Sequence, residues 1–421
     1  MAASLALSLV ALLAPASVDV EAGARQETRG GRVPLPVVEG EGSSAFRVAA
    51  RSVLDLELVP FARIVVNSRR QRIEVGYAPR LLRRYLLTER RFLDQTLLFH
   101  QLEVLHSYRI TRRLSWDAII EAGRGAVDYA SVATVLDPEN TPLLGVTGVV
   151  DFNRVNAVGG FTWSWSRAQS STLRADTRFV GPLGDTGPIP FPQLLEVGAE
   201  GVHTMALDRK NDVSSTIRGR WFSFDERVVE PRTFRLLSGR VSWAHQTRRL
   251  ETRVSAGAVV IMEDTTRAHP LALVEADYRA LHRRSIRLTL GASLALDIRP
   301  NQVFSTVDPQ VIATVRARFE MNERLAIEPR AQFFTATTAD PRPEEEIVDR
   351  DRAGIFAATI VSASLPVTYR VTDVFELLAG VRVSLRGPHL DAVDLDGARY
   401  GLGQEEIVGY AGLRMALGTR L

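Results

Sequence analysis

The fold is decided by the stretch Arg284–Ile298, which reads RSIRLTLGASLALDI in one-letter code. From Ile286 onward every second residue is apolar, whereas the residues between them are polar or small. Successive side chains of an extended strand point to opposite faces, so this alternation predicts a strand with one apolar face and one polar face.

The same two-residue period recurs in at least a dozen further segments between about Leu54 and the C-terminus. Each segment is long enough to cross a bilayer as a tilted strand. Tight polar turns, such as Asn67–Arg70, alternate with longer connections, among them Asp264–Pro270 and Pro300–Asp308. This arrangement is typical of an all-β, antiparallel, up-and-down transmembrane β-barrel.

The segments number about seventeen, whereas single-chain bacterial barrels have an even number of strands. We therefore expect about 18 strands, with 16 as the alternative. The missing strand is expected upstream of Leu54, within Val33–Arg51. A barrel of this size has an interior wide enough to hold water.

Composition excludes several classes of protein. The chain has 421 residues with 45% hydrophobic residues, no cysteine and a formal net charge of +3. It lacks the long apolar runs of a helical membrane protein. Basic residues are spread over many segments beside acidic ones, which argues against a nucleic-acid partner. No motif indicates a cofactor, and the acidic stretch Glu344–Glu346 is interpreted as a solvated loop rather than a metal site.

The N-terminus differs from the rest of the chain. Leu5–Ala14 is an apolar run of signal-peptide length, and small residues follow at Ala14–Ala16 and again at Ala22–Ala24. We expect a signal peptide over residues 1–24, a flexible lead-in over 25–44 and the barrel over 45–421. The alternatives are cleavage at the first small-residue site, a short buried helix or an anchor.

Four tryptophans lie close to tight turns. Amphipathic rings prefer the headgroup level, so these residues predict an aromatic girdle at one membrane interface. The alternative is ordinary packing in a soluble β-sandwich. The four are Trp116, Trp163, Trp165 and Trp243.

The polar face of the strands is the candidate functional surface. If the apolar face meets lipid, the opposite face lines the lumen with charges of both signs, which require water or ion pairing. One interpretation is a diffusion channel with a transverse field between opposed acidic and basic rows. The other is a plugged structural barrel whose ion pairs serve only closure. The predicted pore-lining residues are Arg63, Arg218, Arg220, Arg240, Arg253, Glu275, Asp277, Arg316, Arg318, Glu328, Arg330 and Arg382.

The C-terminal segment Tyr410–Leu417 resembles the assembly signal of Gram-negative outer-membrane β-barrels. Gly412 is followed by the apolar residues Met415, Leu417 and, at the chain end, Leu421. The terminal residue is a leucine where that class usually has an aromatic residue. The resemblance implies secretion to the periplasm, insertion in the outer membrane by the barrel-assembly machinery, and contact with outer-membrane lipid and lipopolysaccharide.

Together these observations predict a porin-like barrel that is not an enzyme and lets small hydrophilic solutes diffuse through a charged, water-filled lumen. Nothing in the sequence marks a subunit interface. A less favoured alternative is a barrel-borne lipid hydrolase. His100, His106 and His203 have the lipid-facing parity that such an enzyme needs, but no Gly-x-Ser-x-Gly elbow supplies a nucleophile.

Overall fold

The computed structural model describes residues 17–38, 46–92, 96–128, 149–182, 193–225, 232–283, 285–301, 306–336, 360–386, 391–393, 399–401 and 405–420. These ranges contain eighteen long antiparallel strands, two of which are each broken into two segments. The strands are β1 (Ser17–Val38), β2 (Phe46–Asn67), β3 (Gln71–Tyr77 and Arg80–Leu86), β4 (Leu97–Arg109), β5 (Leu114–Asp128), β6 (Val149–Ser164), β7 (Gln169–Pro182), β8 (Gln193–Ala206), β9 (Asn211–Asp225), β10 (Arg232–Gln246), β11 (Leu250–Met262), β12 (Thr266–His282), β13 (Ile286–Asn301), β14 (Thr306–Met321), β15 (Leu325–Ile327 and Arg330–Ala336), β16 (Ile360–Arg370), β17 (Phe375–Arg386) and β18 (Glu405–Arg420).

Each strand pairs with the next in sequence, and the last pairs with the first. Strand β1 pairs with β2 from Ser17 opposite Asn67 onward. It also pairs with β18 from Asp19 opposite Arg420 to Arg32 opposite Ile407. The sheet is therefore closed and has no free edge, as a membrane-spanning sheet requires. The predicted fold class and the preferred strand number of 18 are confirmed.

The first strand differs from the sequence expectation. It occupies Ser17–Val38, not Val33–Arg51, and β2 already begins at Phe46. The segment interpreted as a flexible lead-in is thus largely strand. The period was hard to see because the outward positions of β1 include Gln26, Thr28 and Gly30, which give no apolar face. Residues 1–16 lie outside the described residues.

Tight turns and longer connections lie at opposite ends of the barrel. Eight tight turns share one rim with the first residue of β1 and the last residue of β18. Two connections at the other rim are shorter than predicted: Pro270 lies within β12 and Pro300 within β13. Proline is tolerated there because these positions are near strand ends.

Positive charge is concentrated in the tight turns. We call the exposed cations of these turns the basic rim, and in the described residues it faces only three turn carboxylates, those of Asp208, Glu323 and Asp373. The basic rim consists of Arg69, Arg70, Arg112, Arg113, Arg167, Arg209, Lys210, Arg248, Arg249, Arg283 and Arg324.

The outer face of the barrel is an apolar belt. Its most exposed side chains are Ile217 at 66%, Leu173 at 63% and Val315 at 62% of their full accessible area. Contiguous apolar exposure on this scale belongs against lipid. Within the described ranges, no helix combines the length and the hydropathy needed to span a bilayer.

Candidate functional site: the inner wall of the barrel

The inner wall carries the charged residues that alternate with the apolar belt. Arg63 on β2 lies in contact with Glu74 on β3 and is 3.9 Å from Glu21 on β1. Arg382 on β17 has the parity opposite to the exposed Val381, so it too belongs to this wall. The wall is therefore polar, although its charges are arranged differently from the prediction.

On β9 and β10 the predicted arginines pair with carboxylates of nearby strands. Arg218 lies 3.1 Å from Asp176 on β7. Arg220 lies 3.6 Å from Glu196 on β8. Arg240 on β10 lies 3.6 Å from Asp297 on β13, although two strands separate β10 from β13. This last contact projects over the intervening strands into the lumen.

A second group of ion pairs lies on β12 to β15. The guanidinium of Arg316 contacts Asp277 at 2.7 Å and Glu275 at 3.0 Å. Arg318 contacts Glu320 at 2.7 Å and Glu328 at 3.2 Å. Arg316, Arg318, Glu328 and the predicted residue Arg330 border a cavity of about 450 Å³.

These contacts change the expected electrostatics of the lumen. The described ion pairs join residues along the same wall, not two opposed rows of unlike charge. Lateral pairing neutralises much of the wall locally, because the paired charges lie within 4 Å of each other. The described contacts therefore do not show two opposed rows of unlike charge with an electric field across the lumen between them. Such a field would have to come from charged residues that lack an ion-pair partner.

Two such charges border a larger cavity, of about 600 Å³. Arg174 and Arg253 line it and are exposed, and in the described part of the chain no carboxylate pairs with either. Ser255 also lines this cavity; its side chain is 4% exposed and its hydroxyl has no hydrogen-bond partner. A space of this size is suited to a small solute.

A buried ion network on β1 to β3 was missed by the sequence reasoning. Glu57 is 2% exposed and contacts Arg80 at 2.7 Å, Arg29 at 3.0 Å and Arg25 at 3.1 Å. Arg84 donates two hydrogen bonds of 2.7 Å to Asp55. The available signal was the spacing of Arg25, Glu27 and Arg29 at alternate positions, which places all three on one face of a strand.

An apolar cluster on the inner wall was also missed. It includes Phe222 and Phe224 on β9 and Phe234 on β10, each no more than 1% exposed. The rings of Phe224 and Phe234 meet edge to face, with centroids 5.9 Å apart. Phe222 and Phe224 lie on the same face of β9 as Arg218 and Arg220. The inner wall is therefore cationic in its middle and apolar towards the rim with the longer connections.

The four predicted girdle residues lie near the tight-turn rim. Trp163 and Trp165 have ring centroids 5.7 Å apart, and Trp116 lies 4.6 Å from Phe161. Trp243 is 41% exposed and stacks on His245. The girdle itself stays a prediction.

The residues of the predicted assembly signal lie in β18. Met415 and Leu417 face outward and are 43% and 58% exposed, whereas Gly412 lies against the backbone of Gln26 on β1. Leu421 lies outside the described residues. Their role in assembly stays a prediction.

The histidines considered for a hydrolase lie on the outer face. His203 Nδ1 is 2.9 Å from the hydroxyl of Ser171, which also accepts a hydrogen bond of 2.8 Å from the indole of Trp165. The His100 ring forms a hydrogen bond with the Tyr77 hydroxyl, and the His106 ring forms one with the side-chain amide of Gln71. Ser171 and His203 are opposite each other in the register between β7 and β8.

Possible metal ligands do not cluster in the part of the chain that is described: it contains no group of three or more His, Asp or Glu side chains placed to hold an ion. The acidic stretch Glu344–Glu346 lies outside the described residues.

No protein-family model and no curated protein matches the sequence. Solved outer-membrane structures do align along nearly its whole length. OpdK of Pseudomonas aeruginosa is 10% identical, with 97% of this chain and 100% of that chain covered and a TM-score of 0.44. The ferric-catecholate import receptor Fiu of Escherichia coli K12 is 10% identical, with 96% and 82% covered and a TM-score of 0.48. The ferric enterobactin receptor PfeA of P. aeruginosa is 8% identical, with 94% and 80% covered and a TM-score of 0.46.

The assignment of the fold rests on the strand pairing and the two faces of the sheet. A closed sheet satisfies every backbone group without water, and its apolar belt requires hydrocarbon around it. Among bacterial envelopes this architecture, with tight turns at one end and longer connections at the other, belongs to the outer membrane. The chain is accordingly a β-barrel of the Gram-negative outer-membrane class.

Proposed function

We propose that the protein is a passive channel for small hydrophilic solutes. The observation that supports this most directly is the cavity of about 600 Å³ on the inner wall, bordered by Arg174 and Arg253. Charged side chains that lack an ion-pair partner are stable only where water or a solute solvates them. The cavity therefore belongs to a wet path through the barrel.

The two arginines give the path a preference for anions. In the same cavity Arg218 and Arg240 are held by carboxylates. Among the described lining residues, Arg174 and Arg253 therefore exceed the one unpaired carboxylate, that of Asp212, by one positive charge. Ion selectivity in pores follows from such rings or rows of charged side chains. Small anionic solutes are thus favoured over cations of equal size.

Conductance across a planar bilayer tests the proposal. The refolded protein is expected to show discrete open levels with an anion preference. Arg253→Glu should lower the anion-to-cation permeability ratio by roughly twofold or more, because it reverses one unpaired charge in the path. Arg253→Lys is the matched control and should keep the preference. Open levels with an unchanged ratio in Arg253→Glu would remove this cavity from the conduction path.

A second candidate is a plugged structural barrel without transport. It is favoured by the network around Glu57, in which Glu57 and Arg80 are only 2% and 5% exposed. A dry, ion-paired wall of this kind serves closure and not conduction. A silent bilayer from correctly folded protein would place this candidate ahead of the channel.

A further inference from the structure

In the described residues, the eleven cations of the basic rim outnumber the three carboxylates of the same turns. Arg112, Arg113, Arg248 and Arg249 are exposed, and no carboxylate of the described ranges lies within ion-pair distance of any of them. The three turn carboxylates are partly occupied: Asp208 accepts hydrogen bonds from amides of its own turn, and Glu323 lies 3.5 Å from Arg287. Because the whole chain has a net charge of only +3, this excess is a property of the rim and not of the composition.

The basic rim lies beside the tryptophans of the predicted aromatic girdle. Trp165 lies two residues before Arg167 in the same turn, and Trp116 lies three residues after Arg113, at the start of β5. Trp165 is 55% exposed on the outer face. Tryptophans on such a face prefer the headgroup level, so the neighbouring guanidinium groups lie at the depth of lipid phosphates.

Tight turns lie on the periplasmic side of outer-membrane barrels. We propose that the basic rim binds anionic phospholipid headgroups in the leaflet that faces the periplasm. Guanidinium groups match phosphate geometry with two parallel hydrogen bonds, and clustered cations next to a bilayer attract anionic lipids. The rim continues directly from the lipid-facing belt and its tryptophans. This continuity commits the surface to a lipid, not to a soluble acidic protein.

The tryptophans provide a local readout of lipid binding. Brominated phosphatidylglycerol and brominated phosphatidylcholine quench indole fluorescence on contact, and comparing them gives a relative binding constant at the rim. Trp221 lies near the opposite end of β9, so Trp221→Phe is introduced in every sample. At low salt we expect phosphatidylglycerol to be preferred at least about twofold, and this preference to approach one at 1 M salt, where the Debye length is about 3 Å.

Two double variants distinguish an effect of the basic rim from an effect of the protein's total charge. Arg112→Gln with Arg113→Gln should reduce the preference for phosphatidylglycerol, whereas the lumen-facing pair Arg174→Gln with Arg253→Gln removes the same charge and should leave it unchanged. Equal quenching by both lipids in the parent protein would overturn the proposal, as would equal effects of the two pairs. If the rim variant does not fold, the salt titration of the parent protein decides alone. Fluorescence quenching does not depend on conductance, so its outcome is independent of the proposed channel.

Discussion

Arg316 on β14 reaches Asp277 on β12 by crossing the strand between them at Gly291. Gly291 is paired with Asp277 on one side and with Arg316 on the other. A Cβ atom at this glycine would lie 2.2 Å from an oxygen of Asp277 and 2.7 Å from Nε of Arg316. The absence of a side chain therefore lets the guanidinium lie flat on the wall. Gly198 has a similar place beside Asp176, the partner of Arg218.

Replacing this glycine should break the pair. Gly291→Ala is expected to destabilise the barrel by about 1–3 kcal/mol, the usual cost of overpacking, and to push Arg316 into the lumen. The urea midpoint of unfolding in lipid or detergent measures the first effect, and single-channel conductance the second. Gly219→Ala is the control, because nothing lies within 4 Å of a Cβ there. Equal midpoints for the two variants would contradict the crossing geometry.

The network at Glu57 should contribute to stability. Glu57→Gln leaves Arg25, Arg29 and Arg80 around a neutral group, and removing one partner of a buried ion pair typically costs about 3–5 kcal/mol. Glu89→Gln is the matched control: Glu89 contacts Arg91 at 2.7 Å, but both side chains are exposed enough that the pair is worth about 0–1 kcal/mol. Unfolding midpoints of the two variants, compared with the parent, check the difference. Similar losses in both would mean that the buried network is no stronger than a surface pair.

Processing of the precursor can be predicted from the first strand. Cleavage after Ala24 would remove the beginning of β1, which pairs with β2 from Ser17 onward. We propose cleavage at the first small-residue site, after Ala16, which leaves β1 whole. Mass spectrometry of the protein extracted from membranes should give an N-terminus at Ser17. An N-terminus at Arg25 would show that the barrel closes with a shorter first strand.

The turn at Asp208 should make stability depend on pH. Hydrogen bonds from the amide of Lys210, the side chain of Asn211 and its amide lower the pKa of Asp208 below its ordinary value. The ionised carboxylate therefore stabilises the turn above about pH 4, and this contribution is lost as the pH falls through the lowered pKa. The Asp208→Asn variant should lose less stability between pH 7 and pH 3 than the parent protein. Asp373→Asn is the control, because Thr372 caps that turn instead.

Alternation in the sequence was sufficient to predict the architecture. The apolar parity of strands such as β13 fixes which side chains meet lipid, and counting the segments gave a barrel of the observed size. Alternation identifies a strand only where one of its faces is apolar, however. In β1 the outward residues include Gln26, Thr28 and Gly30. The backbone there alternates as in any strand, but the hydropathy of the residues does not show the two-residue period.

The arrangement of the inner wall could be predicted only in part. Parity identifies Arg218 and Arg316 as lumen-facing, but their partners depend on the register between strands and on glycines that let a side chain pass. Phe222 and Phe224 share the lumen-facing positions of the strand with Arg218 and Arg220, so alternation alone gives no sign of an apolar cluster there. Contacts between strands that are not neighbours, such as Arg240 with Asp297, have no signature in a single sequence.

The position of the Glu57 network has a consequence for biogenesis. Two of its arginines belong to the strand that must join the C-terminal strand to complete the cylinder. A carboxylate that loses its water must pair with its cationic neighbours at the same time. Pairing of β1 with β18 and desolvation of the Glu57 network are therefore one event. Ion pairing then contributes to the last step of barrel closure as much as backbone hydrogen bonding does. In a nascent barrel that lacks β1, Glu57 is open to water.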